Sequence, residues 1–578
     1  MLLNPPFVPI RLPGVQSLVS GRWLASDAVW LAAILTLSTV LILLWTCTVP
    51  FQQAPDEAAH FQVVRFIRDF GRLPRFAPEE LWLLRTQVGA VESYATFPPL
   101  AYILAALLTV ATHDHSFWAS RAVSIVSYLG TIWLTFAIAR RLLPSTRVVA
   151  VSSSLVVALL PQFTFTGAYV NNDALAVLEA GLLLWLLLEV GRTGSSATPF
   201  AAMGVVIGTM LLTKYTAYAV AGIGFGVALL AAWRARNRLL SSVALILGVA
   251  LSSGWWFIRN WQLYGELVPS KVVAQAKAAA GGNTLFVPID HGVTVLTLST
   301  QTDFWLTTLK SFVGVFGYLS IFLAPGYYVA SAVVAALALL GMLLRLRQGR
   351  VPIQGWLVLG VGLTICAGTI LQTMVVAVYG EYAPLGRYLF GALIPLAIAL
   401  AAGWYWLGAT HRLLAWIPMA AIGWLIALNA VSFGGYLVPG QFSLAVDSVI
   451  VEVDKPAGTF AAGQDVEVLG WSLAQGSADW RPFTPELVME YRRPVDGVLV
   501  YLDGAPGVGQ LISPAQYGFR RHDVSDFFGG SQQLERIGFR YVIAADELSP
   551  GPHELDVCSV VTERLAPICK SRTFEVSG

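Results

Sequence analysis

The residues of this chain best placed for chemistry are two neighbouring acids, Asp56 and Glu57. They stand in the stretch Pro50-Phe-Gln-Gln-Ala-Pro-Asp-Glu-Ala-Ala-His60, just after an uninterrupted apolar run. A carboxylate pair at a membrane edge is costly unless it faces water, a partner or a substrate. Carboxylates there can take up a proton, help hold a cation or cap a helix, and Pro55-Asp56-Glu57 is also a good helix start. His60 lies one helical turn on, where it suits a metal ligand beside either acid or a local hydrogen bond. Other ionisable residues stand at the ends of apolar runs: Asp173 in Asn171-Asn172-Asp173, Lys214 between two short runs, Arg259, and Glu381 and Arg387 around Gly386-Arg-Tyr388. Asp173 also reads as a helix N-cap. Glu179 falls nearly two turns inside an apolar run, as a functional carboxylate or a protonated, hydrogen-bonded one.

The elements that carry these residues are membrane helices. Of the 578 residues 56% are hydrophobic and 12% charged, with mean hydropathy +0.67. The charged fraction is roughly half that of a soluble protein. The chain is read as a polytopic α-helical membrane protein, and its net charge of +2 is too small to suggest a nucleic-acid partner. Apolar runs place eleven transmembrane helices at about 28–49, 119–139, 147–168, 174–190, 199–213, 216–233, 240–258, 320–343, 353–377, 389–408 and 413–433. Every even-numbered span is followed by basic residues: Arg140-Arg141, Arg192, Arg234 to Arg238, Arg345 to Arg350, and His411-Arg412. Positive loops stay inside. The pattern predicts a cytoplasmic N-terminal segment (1–27), a transmembrane domain (28–433) with a large first extracytoplasmic loop (50–118), and an extracytoplasmic C-terminal domain (434–578). Phe97–Thr112 is apolar but short, and counting it as a span would invert every later loop. It is read as a helix lying at the outer interface. All the candidate site residues then collect on the outer face.

From about Phe442 the pattern changes to alternating apolar and polar residues, as in Ser448–Asp454, Asp465–Trp471 and Gly497–Asp503, broken by Gly/Pro turns. That period predicts a β-sandwich. Trp471, Trp480, Tyr491, Tyr501 and Tyr517 there are core residues or platforms for sugar rings. Cys558 and Cys569 are spaced for a hairpin; in an oxidising compartment they pair as a disulfide, and otherwise they are two free thiols. Cys47 and Cys366 lie in apolar runs as inert core residues.

Pro-Asp-Glu-x-x-His-Phe after the first span, Phe-Pro-Pro-Leu-x-Tyr, Arg121 opening the second span, Asn171-Asn172-Asp173, Leu212-Thr-Lys-Tyr-Thr216 and Gly386-Arg-Tyr-Leu-Phe390 occur in an order that resembles the GT-C superfamily of membrane glycosyltransferases. The likeness is closest to the bacterial DUF2142 family, with protein O-mannosyltransferases and aminoarabinose transferases more distant. It covers about 30–430 and leaves out the C-terminal domain. It implies a bacterial plasma-membrane enzyme that transfers a sugar from a polyprenyl-phosphate donor to a glycan, lipid or protein acceptor, with inversion. Asp56 matches the first-loop acid that serves as general base. Glu57 would orient it, bind acceptor or help hold a metal. The leaving phosphate needs positive charge, for which Lys214, Arg259 and Arg387 are candidates. Tyr388, Asp173, Glu381, Arg121 and His60 complete the substrate-binding candidates. No cofactor is required; a divalent metal ion is the alternative that His60 leaves open. Two other classes of function stand beside this one: a flippase for a lipid-linked saccharide, which predicts internal repeats and broken helices at midplane, and a non-catalytic envelope-assembly protein.

Overall fold

The structure, a computed structural model, describes residues 26–49, 54–77, 92–113, 117–190, 197–279, 292–317, 321–349, 353–379, 384–441, 446–478, 489–504, 510–527, 532–561 and 567–578. Each apolar run folds as a helix, because in lipid the backbone must satisfy its own hydrogen bonds. The first are α1 (Asp27–Thr48), α2 (Glu57–Phe70), α3 (Leu100–Ala111), α4 (Trp118–Leu142), α5 (Arg147–Leu159) and α6 (Pro161–Gly167). Next come α7 (Asp173–Val190), α8 (Thr198–Thr213), α9 (Tyr218–Arg234) and α10 (Arg238–Tyr264). Then follow α11 (Ser270–Ala279), α12 (Val295–Ser299), α13 (Thr302–Val313), α14 (Pro325–Arg347), α15 (Ile353–Tyr379), α16 (Leu393–Gly408) and α17 (Ile417–Val431). Among the described residues eight helices are long and apolar enough to cross a membrane, or nine if the bent pair α5–α6 counts as one. The other two expected spans fall on α7, which carries three acids, and on the 16-residue α8.

Charged contacts order the helix ends. At one end Asp27 accepts from Arg140 (2.8 Å) and Arg147 (2.6 Å), and Arg141 pairs with Glu189. At the other, Arg121 donates to the carbonyls of Thr46 (2.7 Å) and Val49 (2.9 Å). The chain between α1 and α4 therefore leaves and returns at the same end, so α3 does not cross. It packs beside α2 instead, Tyr102 and Ala105 against Phe61 and Val64.

One expected span, 147–168, is broken. Leu160 is extended, Pro161 opens α6, and the two halves bend by 64°. Proline has no N–H to continue the ladder, and the carbonyls this frees find side chains. Tyr128 and Thr164 donate to Ala158, and Asn429 of α17 donates to Leu159. The bend swings the next residues, all buried, under the site end. α10 also differs from expectation: it runs on to Tyr264, so Arg259 lies within a helix and not in a loop.

Helix continues past α17 to Gln441. A small ladder pairs β1 (Val315–Phe316) with β2 (Ile321–Phe322). The C-terminal strands are β3 (Val446–Lys455), β4 (Thr459–Ala461), β5 (Val466–Ala478), β6 (Met489–Pro494) and β7 (Gly497–Leu502). They continue with β8 (Gln510–Pro514), β9 (Gln516–Phe519), β10 (Gly538–Ile543), β11 (Gly551–Val560) and β12 (Ile568–Ser577). One sheet runs β3-β5-β10-β9 with β6 on β5; the other runs β4-β12-β11-β7-β8. Val468, Val500, Tyr517, Phe539 and Leu555 fill the core between them. This is the expected β-sandwich. Tyr517 is core, its hydroxyl donating to Ser472 O (2.6 Å); Trp480 lies outside the described residues. Cys558 and Cys569 stand directly opposite each other on β11 and β12 and form a disulfide.

Candidate active site

Asp56 and Glu57 are adjacent but enter opposite surroundings. Asp56 has φ 62° and ψ 7°, in the left-handed region, and its side chain makes no cap bond to α2. Asp tolerates that region better than most residues, and the turn aims the carboxylate away from its own helix. Arg387 Nη2 donates to it at 3.3 Å, and the side chain keeps 31% of its surface open. Burial works to raise this carboxyl, but the Arg387 and Arg536 guanidinium charges outweigh it and hold the group below the usual carboxylate range.

Glu57 is sealed. Arg121 Nε and Nη2 fork onto its two oxygens at 2.8 and 2.9 Å, both side chains have no exposed surface, and Val170 N donates to it at 3.0 Å. Glu57 and Arg121, expected as a catalytic and a substrate-binding residue, are both fully buried and spend their charged groups on each other. The pair ties α2, α4, the end of α1 and the Val170 turn together one residue from Asp56.

Asp173 does not cap α7 with its side chain. Asn171 takes the capping role, its side-chain oxygen accepting from Asp173 N (2.8 Å) and Ala174 N (3.2 Å). The Asp173 carboxylate accepts from Lys214 at 2.6 Å, with Arg387 Nε at 3.9 Å from its other oxygen. Lys214 itself is placed by the abrupt end of α8, where its backbone turns extended. Arg387 is placed by Gly386: a Cβ there would sit 2.1 Å from Phe312 N, and Gly386 N donates to Ser311 Oγ at 2.6 Å. Arg387 also donates to Tyr169 Oη at 3.0 Å. The Tyr388 ring lies under both cations, 5.7 Å from Lys214 Nζ and 6.0 Å from Arg387 Cζ.

His60 is buried against aromatic rings. Its Nδ1 shares a hydrogen bond with Tyr102 Oη (2.8 Å), and its ring meets Tyr94 edge-on at 5.1 Å. Burial pushes its pKa down to about 3, so it is uncharged at neutral pH. Tyr94 stacks on Phe97 at 4.3 Å, and Phe97 meets Tyr215 at 5.8 Å. This aromatic wall beside Asp56 was not singled out residue by residue from the sequence, though Tyr94-Ala-Thr-Phe-Pro-Pro-Leu-Ala-Tyr102 carries its signal. Among the described residues no three His, Cys, Asp or Glu side chains could hold a metal ion together. The donor set does not fit one: Asp56 and Asp173 face cations, and His60 Nδ1 is engaged by Tyr102.

Residues 96–256 match the family described as dolichyl-phosphate-mannose-protein mannosyltransferase. That stretch holds Tyr102, Arg121, Asp173 and Lys214; Asp56 and Arg387 lie outside it. Among solved structures the chain is similar to ArnT of Cupriavidus metallidurans in the apo state, at 13% identity over 75% of this chain and 83% of that one, TM-score 0.43. The same protein bound to undecaprenyl phosphate gives 13% identity over 72% and 73%, TM-score 0.42. The oligosaccharyltransferase of Archaeoglobus fulgidus, tethered with an acceptor peptide, gives 11% identity over 70% of this chain, TM-score 0.39. Our chain spans about half that protein's length, at 55%. No match is found among curated proteins.

The fold brings Asp56, Asp173, Lys214, Arg387, Tyr388 and His60 together from four separated segments. Arg259 goes elsewhere: its Nη2 donates to Pro74 O at 2.7 Å and its guanidinium lies 5.2 Å over Trp256. With Arg72, Arg75 and Gln262 it lines a cavity of ≈ 340 Å³. Glu381 falls outside the described residues.

Proposed function

We propose that the chain is a GT-C-type membrane glycosyltransferase that moves a sugar from a polyprenyl-phosphate carrier to a hydroxyl acceptor at the outer face of a bacterial plasma membrane. The observation that carries this reading is a single half-open, ionised carboxylate set against a guanidinium, with a lysine one carboxylate away. Asp56 would take the proton of an acceptor hydroxyl as its oxygen attacks the anomeric carbon. The bond from that carbon to the phosphate oxygen breaks, and the phosphate leaves unprotonated. One base suffices, and the configuration inverts. Arg387 and Lys214 would stabilise the charge that grows on the phosphate. Arg259, with Arg72 and Arg75 beside it, would offer the carrier's phosphate a second cationic place, on its way in or out. The match of residues 96–256 to a sugar-transferring family supports this chemistry. The basic helix ends around Arg140 and Arg141 support an inner position for that end, which leaves the Asp56 end and the C-terminal domain outside.

Purified full-length protein incubated with a panel of polyprenyl-phosphate sugars and acceptors tests the reading, scored by release of polyprenyl phosphate. Asp56→Asn is expected to lower transfer by about 10²- to 10⁴-fold while donor binding persists. No release from any donor, or full activity in Asp56→Asn, sinks it.

A further inference from the structure

One end of the β-sandwich holds a buried histidine. Strand β3 enters at Val446, near Gly476 of β5, while the other end of β5, Val466, pairs with Ile543 of β10. β11 follows β10 after the turn 544–550, so His553, near its start, sits at the end away from the chain's entry. The side chain is buried, and the Phe574 ring stacks on it with centroids 5.4 Å apart. Its Nδ1 lies 2.9 and 3.2 Å from the two oxygens of Asp503, which follows β7. Its Nε2 lies 2.7 Å from the Ser549 carbonyl, in the turn. Asp503 has φ 56°, in the left-handed region, and its carboxylate also accepts from Glu554 N at 3.1 Å. The ring therefore bridges the end of β7 to the turn before β11.

Both partners of the ring only accept. A carboxylate and a carbonyl have no proton to give, and a neutral imidazole has one N–H and one lone pair. It would set that lone pair against one of the two oxygens, whereas an imidazolium donates to both. Burial works against the charge, but the Ser549 carbonyl and the Asp503 carboxylate outweigh it and hold the ring's pKa above its ordinary value. Among the described residues, the charged side chains on the elements around it are mostly acids. They are Asp546 and Glu547 in the turn, Asp465 bonded to Ala545 N at 2.9 Å, Glu554 on β11 and Glu575 on β12. The basic one is Arg572 of β12, whose Nε donates to Pro456 O at 3.3 Å.

We propose that His553 is a proton-operated latch, which as an imidazolium holds the Asp503 end of β7 to the turn 544–550 and on losing its proton lets the turn go. The side that loosens follows from the two partners. A lone pair on Nδ1 would face a full negative charge, and one on Nε2 only a carbonyl dipole. Nε2 therefore gives its proton to solvent, Nδ1 keeps its bond to Asp503, and Ser549 loses its donor. The folded pKa lies above the unfolded 6.5. The latch is thus fully closed below pH 6.5 and opens as pH rises through the folded value. On the outer face proposed for this domain, pH follows the surroundings. The latch is independent of the transferase reading, because it needs neither donor nor acceptor.

Hydrogen exchange of the full-length protein in nanodiscs, read by mass spectrometry, tests the proposal. The peptide followed holds Glu547 and Leu548, whose amides donate to Ala544 O (3.0 Å) and Ala545 O (3.4 Å) within the turn. Rates are corrected for the intrinsic exchange rate at each pH. In the wild type, opening of the turn is expected to rise about tenfold between about pH 6 and pH 9, the loss of one charge-assisted hydrogen bond. His553→Gln, uncharged throughout, is expected to show no step. Asp503→Asn keeps a residue that tolerates the left-handed turn and an oxygen for Glu554 N, but it removes the counter-charge. Its step is expected at lower pH. A wild-type profile without a step overturns the latch, and so does a step that survives in His553→Gln. A step that Asp503→Asn leaves in place also overturns it, and this arm decides the matter even where His553→Gln does not fold.

Discussion

Replacing Glu57 by glutamine separates an acid that does chemistry from one that holds others in place. Glutamine keeps one oxygen for Val170 N and turns its amide N–H toward Arg121 Nη2, donor against donor. The guanidinium, with no exposed surface, would keep the retained oxygen through Nε and the carbonyls of Thr46 and Val49, but it would lose its compensating charge. Breaking a buried pair in this way costs about 3–5 kcal/mol, a large part of the ~5–15 kcal/mol that holds a folded domain. The double variant Glu57→Gln/Arg121→Met removes the stranded charge. What remains is imperfect pairing of the freed carbonyls, about 1–3 kcal/mol. The double variant should therefore unfold at a higher temperature than the single one, although it carries one more change. Tryptophan fluorescence during heating of the purified protein reads this, with the transfer assay run on the same samples. A Glu57→Gln protein with wild-type Tm and no transfer would refute the reasoning, because only contact with substrate would explain it. So would a double variant less stable than the single.

The acid limb of transfer should lie below the ordinary carboxylate range, so that the rate is set by Asp56 ionisation only at strongly acid pH. Arg387→Gln removes the nearest charge holding Asp56 down, and its limb should move to higher pH in a pH–rate profile. His60 gives a stability signature. Its folded pKa, about 3, lies below the unfolded 6.5, so the unfolded state takes the proton first. Stability is full above pH 6.5 and is lost as pH falls toward 3, about 2 kcal/mol by pH 5. His60→Gln should remove that slope from Tm measured between pH 7 and 5. Gly386→Ala puts a methyl group against the Phe312 backbone. It should displace Arg387 and lower both donor affinity and turnover, while Tm and mass-spectrometric detection of the Cys558–Cys569 disulfide confirm that the fold survives.

Much of the architecture was readable because it depends on local signals. Apolar run length, the basic residues after alternate runs and the period of two after Phe442 each report their element without knowledge of its neighbours. Within the candidate site, sequence position alone singles out Asp56 beside a span end and Arg387 in its Gly-Arg-Tyr turn. What stayed hidden were partnerships. Glu57 meets Arg121 64 residues away, and Asp56 meets Arg387 331 residues away. In both cases which acid a guanidinium serves is decided by helix packing. Asn171 and Asp173 show the same limit at short range: both suit a cap, and only the fold decides that Asn171 serves, which frees Asp173 for Lys214. The loop expected to begin at Arg259 is helix for a plainer reason. The polarity of Arg259 marks the end of a span, but α10 outlasts its apolar stretch and carries the arginine to a different cavity.

The left-handed turn at Asp56 narrows what can be substituted there. Glycine, asparagine and aspartate enter that region at small cost, while another side chain adds about 1–2 kcal/mol. Of those three only aspartate carries a charge. Glutamate, the nearest chemical alternative, would both strain the turn and push its carboxylate into Arg387. Point substitution at this position therefore leads either to a relaxed backbone without a carboxylate or to a carboxylate on a strained backbone. A lineage descended from this chain has no neighbouring acid to move to at position 56.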